Sequence, residues 1–355
     1  MRKKLRHILV AIGDLHHPSK TELHKAAALA KKSGASIELF HVIDEPDPAR
    51  SYPETATKET MARQRAALVS KYQDRLERFA RDKSLHGMRV TCTAAWDHPT
   101  YDAIARRALA THADLVIAAT RGHRFGARLV LRNTDWELIR HCPVPLLLVK
   151  SHRPYDKPVV LAAVDPFHAV AKPDELDVQL VDAADKFARL LRGTTHLFHA
   201  YMPLIAVEPA AASAAPLMVL PPEVEQAHAQ QIERAVNRLA ERAGIPRVRR
   251  HIQMGSVAGE LSALTRLTHA SLVVMGAVSR SALARLFIGN TAERVLDKLA
   301  CDVLVVKPRG FAAKAMRTPS LRKTRPRRQP VVAASPAHEP ASMVTTARFV
   351  LPPVL

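Results

Sequence analysis

"THADLVIAA", residues 111–119, returns as "THASLVVMG", residues 268–276. The spacing is 157 residues (268 − 111). Asn133-Thr134 returns as Asn290-Thr291, and Lys150 as Lys307, at that same spacing; "LFH" at 39–41 returns at 197–199, one residue out of step. One offset held over so long a stretch means that a unit has been duplicated. Within the stretch, a polar Thr-His pair leads into Val, Ile and Leu without alternation. That is how a strand covered on both faces reads.

Working outward, each copy holds five such runs: 7–13, 35–43, 88–95, 113–119 and 144–149 in the first, and 158–165, 194–201, 247–254, 271–276 and 302–307 in the second. Between them lie amphipathic stretches such as "TELHKAAALAKKSG" (21–34) and "EQAHAQQIERAVNRLAERAG" (225–244). Both finish on glycine, a common helix stop. Strand–helix–strand alternation builds a parallel, doubly wound sheet. The fold class is therefore α/β: two tandem doubly wound domains, each a five-stranded parallel sheet flanked by helices, over residues 1–150 and 158–308. "SHRPYDKP" (151–158) is too short a joint to let them drift far apart, which predicts a pseudo-symmetric pair. The stretch "AVEPAAASAAPLMVLPPE" (206–223) reads as a long Pro/Ala-rich loop. Residues 309–355 change character: 307–330 holds nine Lys/Arg and no acid, and a Pro/Ala-rich stretch follows. This segment reads as a disordered, basic tail.

Composition narrows the function classes. The formal net charge of +20 over 355 residues favours anionic partners: a nucleotide, a nucleic acid or an acidic surface. Aromatics at 5% argue against platforms for stacked bases. Three widely spaced cysteines (Cys92, Cys142, Cys301) fit neither a disulfide framework nor a zinc knuckle. The opening apolar run "ILVAI" is shorter than a secretory core, and no segment has membrane-helix length, so the expectation is a cytoplasmic protein with no membrane span.

In a doubly wound sheet ligands sit beyond the carboxyl ends of the strands. Gly276 closes the fourth strand of the second copy, and Gly289-Asn290-Thr291 opens a helix whose free N–H groups suit an anion. Arg280 and Arg285 add charge, and Asp165 ends the first strand of that copy. Together these make a candidate mononucleotide cradle. Local capping is an alternative for part of it: Asn290 with Glu293, and Thr134 with Glu137 in the first copy, have capping-box spacing. Walker A and GxGxxG loops are absent. In "WDHPTYDAI" (96–104), Asp97 or His98 has the chemistry of an acid/base, but Asp97 reads first as the cap of a helix opened by Pro99. His41 and His199 end the second strands and read as core or rim histidines; Cys142 and Cys301 read as buried small hydrophobes.

The second copy resembles the universal stress protein domain, whose nucleotide-binding members carry G-x2-G-x9-G-[ST] after the fourth strand. Here the pattern runs Gly276, two residues, Ser279, nine residues, Gly289, Asn290, then Thr291. The outer glycines match; the middle glycine is Ser279 and the Ser/Thr position is Asn290. Asp165 matches the family's adenine-side aspartate. "FIGNTAERVLDKLACDVLVVKP" and "NTDWELIRHCPVPLLLVK" look like the two halves of the tandem type, and the resemblance spans 5–308. It implies binding of ATP or a related nucleotide in the second domain. Asp165 would serve the base, and Gly276, Val278, Ser279, Arg280, Gly289, Asn290 and Thr291 the phosphates, with Mg²⁺ as a companion ion. It also implies pairing of domains within the chain, with a homodimer of chains as a further form. In the first copy Ala119, Gly122 and Arg132 stand where the family's glycines would be, and Gly13 takes the aspartate position with Asp14 one residue late. Those changes imply a structural role or another ligand there.

With no assigned base and no carboxylate pair for Mg²⁺, the expectation is a stress-response binding module with no catalytic residues and slow turnover at most. Two other classes stand beside it. An interaction protein with degenerate sites predicts no nucleotide effect on stability. A binder of nucleic acid or acidic surfaces through 307–330 predicts steep salt dependence.

Overall fold

The structure is a computed structural model that describes residues 4–16, 19–44, 57–120, 124–125, 128–129, 133–167, 175–203, 221–277, 290–309, 311 and 344–350. The chain divides into two compact units, the first taking in 2–121, 131–154 and 309–355, the second 155–308 with 122–130.

The first unit runs β1 (His7–Ala11), α1 (Thr21–Ser33), β2 (Ser36–Ile43), α2 (Lys58–Ala80), β3 (Arg89–Trp96), α3 (Thr100–Ala110), β4 (Leu115–Ala119), α4 (Asn133–His141) and β5 (Leu146–Val149). Strand β1 pairs in parallel with both β2 and β4; β3 lies outside β2 and β5 outside β4. The second unit repeats this as β6 (Val159–Ala163), α5 (Leu176–Leu190), β7 (Thr194–Tyr201), α6 (Pro222–Arg242), β8 (Arg250–Met254), α7 (Val257–Leu267), β9 (Leu272–Gly276), α8 (Asn290–Lys298) and β10 (Asp302–Val306). Its order, β8-β7-β6-β9-β10, is the same. Each sheet therefore reverses its strand order beside the first strand of its copy, and that reversal opens a ligand crevice.

The repeated Thr-His pair is the turn that makes this possible. Helix α3 stops with Thr111 donating to Arg107 O (3.0 Å), and Ala113 N–H reaches back to Ala108 O (2.9 Å) across His112 at φ 52°. Helix α7 stops with Thr268 donating to Leu264 O (2.9 Å) and Ala270 to Thr265 O (2.9 Å) across His269 at φ 50°. This left-handed turn satisfies the last helical carbonyls and drops the chain into the buried strand. Strand cores are fully buried, as at Leu115, Val116, Ile117, Leu272, Val273 and Val274. Helices cover them with apolar faces such as Leu176, Leu180, Ala184 and Phe187 of α5. The glycine stop is seen at Gly34, φ +74°, which caps α1 through Ala30 O.

Two expectations are corrected. The first strands were expected over 7–13 and 158–165 but end at Ala11 and Ala163. Ile12 and Val164 still donate to Phe40 O and Phe198 O, but their own carbonyls accept from histidine side chains, so the ladder stops there. The tail was expected to be without structure, yet its segment β11 (Val344–Val350) pairs antiparallel along the outer edge of β3, from Val344 opposite Ala95 to Val350 opposite Arg89. "VTTARFV" is rich in β-branched and aromatic residues, and an edge strand offers it unpaired main-chain groups. The basic stretch 312–330 lies outside the described residues, as does the loop 204–220.

Candidate functional site

The second unit's crevice is bounded by the segments that leave β6 and β9. The pairing Ala162 with Val274 places Val164 level with Gly276 when it is continued two residues. Asp165 and Gly276 thus leave adjacent strands at the same height. Asp165 is half-buried, and its backbone N–H donates to Asp177 Oδ1 (3.1 Å) at the start of α5. Gly276 has a packing reason of its own. A Cβ there would stand 3.0 Å from Leu176 Cδ2 and 3.8 Å from Leu180 Cδ1, so the missing side chain lets α5 close onto β9. Among the remaining candidates, Val278, Ser279, Arg280 and Gly289 lie outside the described residues. Asn290 opens α8 with its side chain outside the description, and Thr291 follows, exposed. Among the described residues, no three or more His, Cys, Asp or Glu side chains are grouped to hold a metal ion. Mg²⁺ fits here only as an ion carried mainly by phosphates, its usual mode.

A pair of histidines shapes both crevices. His41, 5% exposed, meets Ile12 O at 2.7 Å, and His199, 4% exposed, meets Val164 O at 3.0 Å. A carbonyl only accepts, so Nδ1 carries the proton in both rings. Each histidine pins the residue just before the aspartate position, which is Gly13 in the first copy and Asp165 in the second. The repeated "LFH" was the signal; its meaning needed the loop that it reaches across.

The first unit's mouth is filled from within. Tyr72 of α2 stacks on His41 with ring centroids 5.0 Å apart, and packs with Ile43, Val69 and Ala94 beside Leu15 and Trp96. Arg65 lies over the Trp96 ring at 4.1 Å. Asp97 pairs with Arg106 (2.8 Å) and accepts from His98 N–H (2.8 Å), while His98 meets Asp44 at 2.7 Å. The expectation that Asp97 caps α3 is therefore corrected: Pro99 holds the cap position without a side-chain bond, two residues beyond Asp97. Nor does Glu137 box with Thr134; its carboxylate pairs with Arg140 (2.7 Å) and His141 (3.1 Å). In the second copy, Ile232 of α6 and Met254 of β8 stand where Tyr72 and Trp96 stand in the first, by helix burial pattern and strand register. Met254 is 57% exposed, so the Tyr72–Trp96 pair has no counterpart at these positions; the ring near His199 is Phe167, at 6.3 Å.

Elsewhere the copies differ at one register position. In the first, Glu38 of β2 is buried and receives Arg107 (Nε 2.7 Å, Nη2 2.6 Å) and Thr93 of β3 (2.9 Å), with His7 at 3.4 Å. In the second, the matching pair is His196 of β7 and His251 of β8, whose Nδ1 and Nε2 lie 3.0 Å apart. None of the three cysteines is in a disulfide and all are buried; burial pushes the Cys92 thiol up to about 12, aided by Glu77 and Glu38. Cys92 is thus an inert side chain rather than a nucleophile. No helix among the described residues is long and apolar enough to cross a membrane.

Comparison with known proteins follows the same division. The model of the universal stress protein family matches residues 4–150 and again 159–307. A curated relative from Photorhabdus laumondii, universal stress protein E, is 27% identical over 312 residues, covering 85% of this chain and 95% of that protein. Its counterpart from Escherichia coli is 28% identical over 316 residues, covering 85% and 94%. Among solved structures, one from Pseudomonas aeruginosa assigned to this family matches with a TM-score of 0.63 at 23% identity, covering 88% of this chain and 96% of that one. One from Archaeoglobus fulgidus matches at 0.52 and 15% identity, covering 84% and 98%.

Proposed function

The chain belongs to the universal stress protein family, as two tandem copies of its domain, and on that premise we propose that it is a stress-response module that binds an adenine nucleotide in its second domain without fast turnover. One observation carries the reading. The Gly276-x2-Ser279-x9-Gly289-Asn290 spacing begins where β9 ends, beside Asp165, at the point where the strand order reverses. Backbone N–H groups and the opening of α8 suit phosphates, Asp165 suits a base or ribose, and Arg280 adds charge. Mg²⁺ would come with the phosphates. With no general base assigned, binding is the function and hydrolysis at most a slow side reaction. The compartment of this reading is the cytoplasm.

For the first domain a specific observation favours another reading. Tyr72 and Trp96, with Arg65 above, occupy the mouth, which suits a structural or partner-binding role.

The test is calorimetric titration of ATP with Mg²⁺ into the full chain and into Asp165→Ala, with melting curves for both. Gly276→Val serves poorly, because its side chain would strike Leu176 and disturb α5 whatever the ligand. Saturable one-site binding weakened about tenfold or more by Asp165→Ala, with folding intact, supports the reading. No heat at concentrations that report micromolar affinity sinks it and leaves an interaction scaffold.

A further inference from the structure

Residues 234–250, the end of α6 and the turn into β8, carry six arginines and a single acid, Glu241. The corresponding stretch of the first copy, 74–90, carries five basic residues and three acids. There the charges are engaged: Asp82 pairs with Lys20 at 2.9 Å, and Arg75 lies 3.0 Å from His16. The duplication acts as an internal control. Both stretches do the same scaffold work, so the fold does not require the exposed arginines of the second.

Their placement is that of a contact surface. Arg234, Arg238 and Arg242 follow one another at four-residue intervals on α6, about 6 Å apart along the axis, and all are exposed. Arg247, on the turn into β8, is also exposed and lies beside Gln226 and Gln230 of α6. Among the described residues the side chains of Arg238, Arg242 and Arg247 have no hydrogen-bond or ion-pair partner. Arg250 is the anchored member, donating to Ile245 O (2.9 Å) and Asn237 Oδ1 (2.8 Å). Two open clefts of about 620 and 500 Å³ flank the ridge, one with Arg234 and Arg238 in its wall beside Glu241, the other with Arg247 and Arg250 beside Gln230, Asn237 and Glu233, so arginines outnumber acids two to one in each. Guanidinium forks with amides between them suit phosphate oxygens.

We propose that this ridge of α6, the following turn and the start of β8 docks the phosphate backbone of a nucleic acid, without reading sequence. An extended polyanion suits a row of charges repeated along a helix. Val248, 83% exposed, is the large apolar side chain on the turn, too little for the apolar centre of a protein interface.

The test is fluorescence anisotropy of the full chain with a labelled single strand of about 20 nucleotides, across about 50 to 200 mM salt. Two triple variants change the net charge equally: Arg234→Glu/Arg238→Glu/Arg247→Glu on the ridge, and Lys31→Glu/Lys32→Glu/Lys71→Glu, exposed on α1 and α2, as control. The ridge variant is expected to lose about tenfold in affinity or more and to lower the log–log salt slope by about 2, while the control loses under about threefold. Melting curves check that both variants fold. Equal losses in the two variants, or no binding by the parent chain at the lowest salt, overturn the proposal. So does a polyglutamate peptide that binds as tightly as the strand with the same sensitivity to the ridge variant, which reassigns the ridge to an acidic protein.

Discussion

Glu38 shows how a buried charge is kept in the first domain. Burial alone would raise its carboxyl, but the hydrogen bonds from His7, Arg107 and Thr93 and the Arg107 charge outweigh that and hold it below its ordinary value. The carboxylate is thus ionised at neutral pH with its partners arranged on three elements. Arg107→Leu would strand it. The expected cost is about 3 to 5 kcal/mol, read as a shift of the urea midpoint at unchanged slope. Glu38→Met added to Arg107→Leu should recover most of the loss, because two apolar side chains replace two charges. A double variant no more stable than Arg107→Leu alone would show that Arg107 matters through its packing instead. None of this was legible beforehand, since a buried ion pair between a strand and a distant helix leaves no local pattern. Gly276 is the reverse case. Its singularity was legible, but its contact with Leu176 was not, because the helix that needs the space lies a hundred residues earlier in the chain.

At the scale of elements, strands and helices followed the periodicity closely, because a strand covered on both faces must be apolar throughout. Ends were less legible. His41 and His199 cut β1 and β6 short by taking a carbonyl, and β11 found an edge far away in sequence. The neighbouring strands β7 and β8 carry a pH response of their own. Burial lowers His196 to about 4, with His251 and Arg249 adding repulsion, and burial lowers His251 as well. The fold thus prefers the neutral pair. Between pH 6.5 and about 4 the unfolded chain binds more protons than the folded one, so stability rises with pH across that window and levels off above it. His196→Phe should flatten the dependence of the melting temperature on pH between 4 and 6.5. An unchanged slope would mean that other groups carry it.

At the scale of the whole molecule, one domain pattern has been used twice with different ends. The crevice of the first copy holds Tyr72 and Trp96, and that of the second holds Asp165 and Gly276, with an exposed Met254 at the position of Trp96. The duplication and the missing glycines of the first copy were legible; the aromatic closure was not, because Tyr72 and Trp96 meet only when α2 folds over the sheet. If this division is functional, a nucleotide should act on one unit alone. At a hundredfold excess over its dissociation constant, a ligand that binds only the folded state adds about 2.7 kcal/mol to the free energy of opening. Hydrogen exchange with ATP and Mg²⁺ should therefore slow the amides of β6, α5 and β9, and leave those of β1, α1 and β4 at their unliganded rates. Protection of both sets alike would place a second ligand behind Tyr72 and Trp96 and remove the distinction between the copies. Protection of neither would leave the two crevices as scaffold, with the arginine ridge of α6 as the surface through which the second copy differs from the first.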